Sequence, residues 1–427
     1  MTKHLSKLLS FFIFLSGQMD RLSIELVETI LDYCCESDYP TLAVVCKRLY
    51  SVVNHRYLYR KVRVLYPRKY HCLLETQRVR PDLFLHVQTL DLSGYTTCGA
   101  RLTAIQRQQM ALNHDNLERL LWNCKHLQEI DMNNEVCDAF TSIDVLRCLL
   151  YHHPQLRKLS MSAVSLERLK DALTDIVHDG MATWLGPTQL AQLTFMSHVD
   201  LNHIPVFPRF LELLVANNHA HLTQLCLSKV QISQAMLEAL DPLRLTHLTL
   251  EHCIVPDESL LSFLQRCTRL KVLNIQTSPV YSQMGCYQMA RLARIPFTQL
   301  EELNIMGRGQ HMDDETLTQF CTSTLSTIKI LKMDVSREIT LDGLAHILKQ
   351  TKALKSIHLS FWQNDRCWMW YTCLMQLLEK SYMLETVHMT SRLTHSFPKT
   401  VGHWLIHIAT PDTFTWRRYL ETLTRSR

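Results

Sequence analysis

The chain has 427 residues, of which 47% are hydrophobic and 20% charged, so its apolar content suits a soluble protein with a substantial core. Its formal net charge of +5 is small for this length and gives no reason to expect an anionic polymer as the partner. Glycine occurs only 10 times, against a usual frequency of about 7%, and no glycine-rich dinucleotide or P-loop motif is present, which argues against a phosphate-binding loop.

Residues 1–18 carry Lys3 and Lys7 ahead of an apolar run of about eight residues. A basic stretch followed by an apolar one is the order of a signal sequence, but this run is too short to span a bilayer. We expect a leader or a disordered tail that lies outside the folded domains, and no membrane partner.

The stretch from residue 19 to residue 62 combines three amphipathic helical segments in a fixed order. Apolar side chains recur every three or four residues, which places them on one face of each helix. They are Leu22, Leu26, Ile30 and Leu31 in the first segment and Leu42, Val45, Leu49 and Val52 in the second. About forty residues give only a marginal core, so we expect this module to lean on a partner or on the rest of the chain.

This stretch resembles the F-box family, whose pattern is Leu-Pro-x-Glu-Leu, then Ile-Leu, Asp, Val-Cys-Lys and Leu-Trp/Tyr-Arg. The matching residues are Leu22, Glu25, Leu26, Ile30, Leu31, Asp38, Val45, Cys46, Lys47, Leu58, Tyr59, Arg60 and Val62. Two positions depart from the pattern, since Ser23 stands where the family usually has proline and Leu49 where it often has tryptophan. Serine also begins helices well, so we expect the local turn to form, although an apolar ring contact with the adaptor would be lost.

The resemblance implies a Skp-type adaptor and a cullin ligase scaffold as partners. The apolar residues that we assign to adaptor binding are Leu22, Ile24, Leu26, Ile30, Leu31 and Val45. A residue of this set either faces the adaptor or packs the module itself, and the sequence does not separate these two roles.

Residues 63–85 are interpreted as a basic, helical linker. The run over residues 56–70 carries six positive charges with tyrosines between them, a combination also found in RNA-binding surfaces. Because this run overlaps the end of the F-box pattern, a solvated connection between modules is the preferred interpretation, and we expect no nucleic-acid partner.

From residue 86 onward the chain repeats a short pattern, apolar-x-x-apolar-x-apolar. Its eleven copies begin at residues 87, 127, 156, 190, 222, 245, 270, 300, 328, 354 and 384. Alternation within each copy predicts a strand with one buried face, and helical runs follow several copies, at 257–270, 316–328 and 341–354. The copy at 245 is the fullest and has Cys253 at its asparagine-or-cysteine position. The pattern resembles the longer, cysteine-containing leucine-rich repeats that follow F-boxes.

The expected fold class is therefore α/β. A three-helix F-box is followed by a leucine-rich-repeat solenoid, a ribonuclease-inhibitor-like horseshoe with a parallel sheet inside and helices outside. We assign the repeat array to residues 86–395 and a C-terminal cap to residues 396–427, because a solenoid needs its last repeat covered.

Side chains that point out of the strands form the candidate substrate-binding surface, because strand residues alternate between two faces. These positions are polar and of mixed charge, which suits a protein substrate recognised through many modest contacts. The residues that we select are His247, Thr249, Glu251, Asn274, Asn304, Lys332 and His358.

An aromatic cluster at residues 361–371 adds Trp362, Trp368 and Trp370 to the candidate substrate contacts. We place it in a loop after a strand near the end of the array, and aromatic side chains are enriched at binding hot spots. The preferred interpretation is that these rings pack the last helices against the terminal segment, as end-capping of a solenoid requires, and substrate contact is the alternative.

The 15 cysteines are scattered, form no C-x-x-C pair and fall largely inside apolar runs, so a reduced intracellular compartment is the simplest interpretation. His403 and His407 are four residues apart, but no third metal ligand is evident. We expect no metal, no cofactor and no catalytic residue, and the chain is not expected to be an enzyme.

F-box proteins with leucine-rich repeats are substrate receptors of SCF-type ubiquitin ligases, and the resemblance implies this role for the chain in the cytoplasm, the nucleus or both. The F-box would dock on the Skp-type adaptor while the repeats hold a protein substrate. The alternative is an interaction scaffold with an F-box-like cap that acts without the cullin machinery, and the serine in place of proline keeps this alternative open.

Overall fold

The computed structural model describes residues 23–24, 26–27, 31, 47–53, 60–64, 67–94, 114–134, 143–178, 186, 188–202, 204, 206–276, 286–307, 312–323, 327–361, 368–379, 383–391, 400–401, 404–410 and 413–418. The chain divides into two compact units, one ending at Leu190 and the other beginning at Ala191. Within the described part, none of the helices has the length and apolar character that crossing a bilayer requires.

Among its described residues, the first unit has four parallel strands that pair in chain order, β1 with β2, β2 with β3 and β3 with β4. Helical segments connect consecutive strands, as strand–helix repeats require. The strands are β1 Lys61–Arg63, β2 Thr89–Asp91, β3 Glu129–Asp131 and β4 Lys158–Ala163. The helices are α1 Lys47–Val52, α2 Pro67–Val79, α3 His114–Asn123, α4 Ile143–Tyr151 and α5 Leu166–His178, with a short 3-10 helix at Pro81–His86.

The second unit shows the same strand–helix alternation, and the part of it that the structure describes has eight parallel strands that again pair with their chain neighbours. The strands are β5 Gln192–Ser197, β6 Gln224–Ser228, β7 His247–Glu251, β8 Val272–Gln276, β9 Glu302–Asn304, β10 Ile330–Val335, β11 Ser356–Phe361 and β12 Thr386–Ser391. The helices are α6 Val206–Asn218, α7 Gln234–Ala239, α8 Asp257–Arg266, α9 Cys286–Ala293, α10 Asp314–Ser323, α11 Leu341–Gln350 and α12 Trp368–Glu379. Parallel strands alternating with helices are the arrangement of leucine-rich repeats, which confirms the expected fold class.

All eleven copies of the repeat pattern form strands, and each strand begins two residues after the first apolar position of its copy. The copy at 245 shows why, since Leu245, Leu248 and Leu250 are all buried between the sheet and the helices. The polar residues between them stay on the other face, so the alternation decides which face of each strand is buried.

A twelfth strand lies earlier than the expected start of the array at residue 86. Strand β1 pairs in register with β2, and helix α2 occupies much of the segment that was interpreted as a linker over residues 63–85. Tyr59, Val62 and Val64 stand at the apolar positions of the repeat pattern, and both valines are buried. The basic run over residues 56–70 therefore contains the first strand of the sheet and the beginning of a helix.

Three antiparallel strands follow the last parallel strand: β13 Thr400–Val401, β14 Trp404–Thr410 and β15 Thr413–Arg418. Strand β15 pairs with β12, and β14 pairs with β15. An uncovered strand exposes unpaired backbone groups, so this hairpin covers the edge that β12 would otherwise present.

A left-handed backbone turn follows three of the strands in the second unit. Lys229, His252 and Gly307 have φ of 57°, 55° and 84°, and each stands seven residues after the first apolar position of its copy. The backbone N–H of Lys229 donates to the carbonyl of Glu251 at 2.8 Å, and that of His252 donates to the carbonyl of Gln276 at 2.6 Å, so these two turns link a repeat to the next. The position therefore keeps its conformation with or without glycine.

Consecutive helices of the second unit are also joined through their first turns. Thr340 precedes α11 and its hydroxyl accepts the N–H of Gly343 at 3.2 Å, while the same hydroxyl donates to the Asp314 carboxylate of α10 at 2.6 Å. A Cβ atom on Gly343 would lie 2.0 Å from that carboxylate, so glycine leaves the space that the contact needs.

Candidate protein-interaction surfaces

The first turn of the F-box-like segment begins at Ser23. The backbone N–H of Leu26 donates to the Ser23 hydroxyl oxygen at 3.4 Å, and the N–H of Val27 donates to the Ser23 carbonyl at 3.2 Å. A serine hydroxyl at this position replaces a missing intrahelical acceptor. The helix therefore starts without the proline, as expected from the sequence.

Burial separates the apolar residues that the sequence assigned to adaptor binding. Ile24 is 41% exposed and Leu26 is 53% exposed, whereas Leu31 and its neighbour Val27 are fully buried. Exposed leucine or isoleucine side chains gain apolar contact only when a partner covers them. Ile24 and Leu26 are thus available to a partner, and Leu31 packs within the chain. Leu22, Ile30 and Val45 lie outside the described residues.

Helix α1 presents one further large side chain to solvent. Tyr50 is 59% exposed, while Leu49, Val52 and Val53 are buried. Sequence reasoning did not select Tyr50, although it lies next to the apolar stripe of its helix and tyrosine is frequent at interface hot spots. Leu49, which stands where the family often has tryptophan, serves as a core residue.

The outward side chains of the second unit lie in three rows, because the strand registers match residue by residue. The first row is Gln192, Gln224, His247, Val272, Glu302, Ile330, Ser356 and Thr386. The middle row is Thr194, Cys226, Thr249, Asn274, Asn304, Lys332, His358 and His388. A third row runs through Glu251, Gln276, Asp334 and Ser360.

The seven strand residues that the sequence selected fall on these rows, but they differ in accessibility. His247, Thr249, Glu251, Asn274, Lys332 and His358 are partly exposed. Asn304 is buried and its side-chain oxygen accepts the N–H of Met306 at 3.1 Å, so it holds the turn after β9. Asp334 is buried as well and accepts the N–H of Gly307. Register alone therefore overestimates the surface that a partner can reach.

Charged groups on this face are hydrogen-bonded to side chains of neighbouring repeats. The Lys332 ammonium lies 2.9 Å from a Glu302 carboxylate oxygen, one strand away. The Asn274 side-chain amide donates to a Glu251 carboxylate oxygen at 3.1 Å, again across one strand boundary. Each pair fixes two side chains in one geometry, so a partner meets an ordered, polar surface of mixed charge.

Two neighbouring histidines, with their rings tilted relative to each other, mark the end of the middle row. The rings of His358 and His388 have centroids 5.7 Å apart, and His358 Nε2 lies 2.9 Å from the Thr390 hydroxyl. Burial lowers the pKa of His358 to about 4, and the positive charges of His388 and Lys332 act in the same direction. Burial also lowers the pKa of His247, at the first row. His358 is therefore a neutral hydrogen-bonding group at physiological pH.

The aromatic cluster at residues 361–371 is only partly a loop. Trp368 and Trp370 belong to the first turn of helix α12, which corrects the expectation that they lie in the loop after β11. Phe361 ends β11 and is buried. Trp362 lies outside the described residues. Capping and substrate contact by the two helical tryptophans stay predictions.

The comparisons with known proteins bear first on the N-terminal region. A family model described as the F-box domain matches residues 19–61. The chain carries an F-box domain. The matched residues include the serine-capped turn, the exposed Ile24 and Leu26, and Tyr50 of helix α1.

Three solved structures resemble the chain at low sequence identity. The Rad7–Elc1 complex of yeast is 12% identical and covers 86% of this chain and 93% of its own, with a TM-score of 0.43. A protein from Bacteroides fragilis is 14% identical and covers 54% and 74%, with a TM-score of 0.34. The leucine-rich repeat-containing protein LegL7 from Legionella pneumophila is 13% identical and covers 73% and 86%, with a TM-score of 0.27. At these scores the likenesses carry no inference about function, and a search of curated proteins gave no match.

Proposed function

We propose that this chain is a substrate-recognition subunit of an SCF-type ubiquitin ligase. Its F-box domain docks on a Skp-type adaptor that is held by a cullin scaffold, and its repeats bind a protein substrate. The observation that carries this proposal is the F-box match at residues 19–61, within which Ile24 and Leu26 stay exposed on the helical segment that begins at Ser23.

The adaptor contact follows from the residues that the fold leaves uncovered. Ile24, Leu26 and Tyr50 present apolar area to solvent, and their burial against an adaptor releases free energy that the isolated chain does not gain. Val27, Leu31 and Leu49 are buried already, so they support the module instead of contacting the partner.

The substrate contact is assigned to the row-forming face of β7–β11. His247, Thr249, Glu251, Asn274, Lys332 and His358 provide donors and acceptors along successive strands. An ordered face of this kind fits a protein partner better than a small molecule, because it offers many spaced contacts. In this role the chain performs no chemistry itself, and it acts by holding a substrate lysine close to the charged conjugating enzyme.

Binding to a purified Skp-type adaptor tests the proposal directly. The full-length chain and the adaptor are co-expressed, purified and resolved by size-exclusion chromatography, followed by affinity capture and mass spectrometry for the cullin. We expect a stable complex with adaptor and cullin. A folded chain that binds no adaptor of this type would refute the ligase role.

The alternative is an interaction scaffold that acts without the cullin. The serine in place of the usual proline favours it, because Ser23 forms the turn but offers no apolar ring to an adaptor. The same capture experiment separates the two roles, since a scaffold retains its repeat-bound partner without adaptor or cullin. Substitution of Asn274, Lys332 and His358 by alanine should release a substrate in either case while leaving adaptor binding unchanged.

The proposed localisation is the cytoplasm, the nucleus or both, where the ubiquitin machinery acts. Four of the described cysteines, Cys124, Cys148, Cys253 and Cys267, are buried in the repeats, and burial raises the pKa of Cys253 to about 12. Such thiols act as small core residues and need no oxidising compartment.

A further inference from the structure

Three aromatic rings form an exposed surface at the ends of α3 and α4 in the first unit. The His152 ring lies between two others, 4.4 Å from the Trp122 centroid and 5.2 Å from the Tyr151 centroid, in edge-to-face arrangements. Trp122 is 54% exposed and Tyr151 is 52% exposed. Edge-to-face contacts hold the rings in place relative to one another, so the surface is preorganised.

The repeat architecture does not require these rings. Trp122 and Tyr151 each stand five residues before the first apolar position of their copies, at 127 and 156. The same position holds Gln265 before the copy at 270 and Lys349 before the copy at 354. Polar residues thus satisfy the fold at this position, and Trp122 and Tyr151, in two consecutive repeats, expose apolar area that folding leaves uncovered.

Positive charge borders the rings. Arg119 and Lys125 stand three residues before and three residues after Trp122, both are exposed, and neither has an ion-pair partner among the residues that the structure describes. Of the nearby carboxylates, Asp144 lies 3.9 Å from Arg147, and the half-buried Glu118 sets one negative charge against the two positive charges of Arg119 and Lys125. The solvent-facing balance around the rings is therefore positive.

We propose that Trp122, Tyr151 and His152, together with Arg119 and Lys125, form a second protein-interaction surface that binds an acidic segment with apolar side chains. Tryptophan, tyrosine and arginine are the residues most enriched at interface hot spots. The rings cover the apolar side chains of the segment, and the two cations pair with its carboxylates. The surface lies outside the F-box domain and outside the rows of the second unit, so it is independent of the ligase role.

A nucleic acid is the less suitable partner for this surface. Stacking on aromatic rings also occurs in single-strand binding, but such sites track the phosphate backbone along a positively charged groove. Here two unpaired cations flank one cluster, and the whole chain has a formal net charge of only +5. A short acidic protein segment needs no more than these two cations.

Fluorescence anisotropy with the full-length chain tests the proposal. The probes are two fluorescein-labelled synthetic peptides with the same leucine and phenylalanine positions, one with glutamate and the other with lysine at every remaining position. A labelled single-stranded DNA of similar length is the third probe. Two double variants are tested, one with Trp122→Ala and Tyr151→Ala and the other with Arg119→Ala and Lys125→Ala. The control is Leu243→Ala, which removes a side chain that is 58% exposed in the other unit.

We expect the acidic peptide to bind and the basic peptide not to bind. Each double variant should weaken the acidic peptide at least about tenfold, because hot-spot truncations cost this much or more. The Leu243→Ala variant should bind as the wild type, and all variants should keep its melting temperature. Equal binding of both peptides, equal binding by all variants, or tighter variant-sensitive binding of the DNA would each overturn the proposal.

Discussion

Replacement of Leu26 by alanine should weaken adaptor binding without weakening the fold. Full burial of a leucine side chain is worth about 1.5–3 kcal/mol. Leu26 is 53% exposed in the chain, so about half of that free energy, roughly 1 kcal/mol, is still to be gained when an adaptor covers it. The expected loss is therefore about five- to tenfold in Kd. A glutamate at the same position should cost far more, because the interface would then bury an unpaired charge.

The assay is isothermal titration of the purified full-length chain with a Skp-type adaptor, with melting temperature measured for each variant. Leu243→Ala is the matched control, since this leucine has a similar exposure of 58% and lies outside the F-box domain. Leu31→Ala gives the opposite pattern, because truncating a fully buried leucine costs about 2–5 kcal/mol of folding free energy.

The reasoning fails if Leu26→Ala and Leu26→Glu both bind the adaptor with wild-type affinity while the chain stays folded. That result would mean that the exposed face of the helical segment beginning at Ser23 is not the adaptor contact. If Leu26→Ala lowers the melting temperature as much as Leu31→Ala does, the reasoning also fails, because Leu26 would then be a core residue.

Three further predictions concern the fold. His358 has a pKa lowered to about 4 from an ordinary value of 6.5, so the unfolded chain binds more protons between these values and stability falls as the pH falls from 6.5 to 4. Urea unfolding of the wild type and of His358→Gln at pH 7 and pH 4.5 should show that the variant loses about 1–3 kcal/mol less free energy of unfolding between the two pH values. An unchanged pH dependence in the variant would contradict this prediction. Thr340→Val should lower the free energy of unfolding by about 1 kcal/mol through loss of the N-cap, while Thr340→Ser keeps the hydroxyl and serves as its control. Iodoacetamide should modify the exposed Cys72 and Cys373 of the native chain before the buried Cys124, Cys148 and Cys253, as peptide mapping over time would show; early labelling of Cys253 would contradict its burial.

The repeat strands could be predicted from the sequence because their signal is local and recurs in phase. In each of the eleven copies the strand starts at a constant offset from the first apolar residue, as in the copies at 245 and 270. The strand β1 was missed although Tyr59, Val62 and Val64 fit the same pattern. Tyr59 and Val62 also match the F-box pattern, and the basic side chains between them indicated a solvated linker. Two overlapping patterns on one segment are resolved only by the pairing of β1 with β2.

The candidate site was predicted less completely, because alternation gives the direction of a side chain and not its accessibility. Asn304 and Asp334 lie on the expected face, yet both are buried and accept hydrogen bonds from backbone N–H groups. The roles of Leu26 and Leu31 could not be separated from the sequence either, since a broad apolar face of a helix can contact both the core of its own module and a partner. The aromatic surface of Trp122, Tyr151 and His152 could not be predicted from the repeat pattern, because aromatic residues occupy that position in only two consecutive repeats, at Trp122 and Tyr151.

The junction between the two functional parts of the first unit has a physical consequence for the proposed role. Lys61 is the last residue that the F-box model matches and also the first residue of β1, which pairs with β2. The F-box match and the first repeat strand therefore share a residue, and no separate linker stands between them in the sequence. Effective concentration in a tethered system falls as a linker lengthens. A substrate receptor that works by proximity benefits from such a direct connection, because fewer arrangements separate the adaptor from the repeats that hold the substrate.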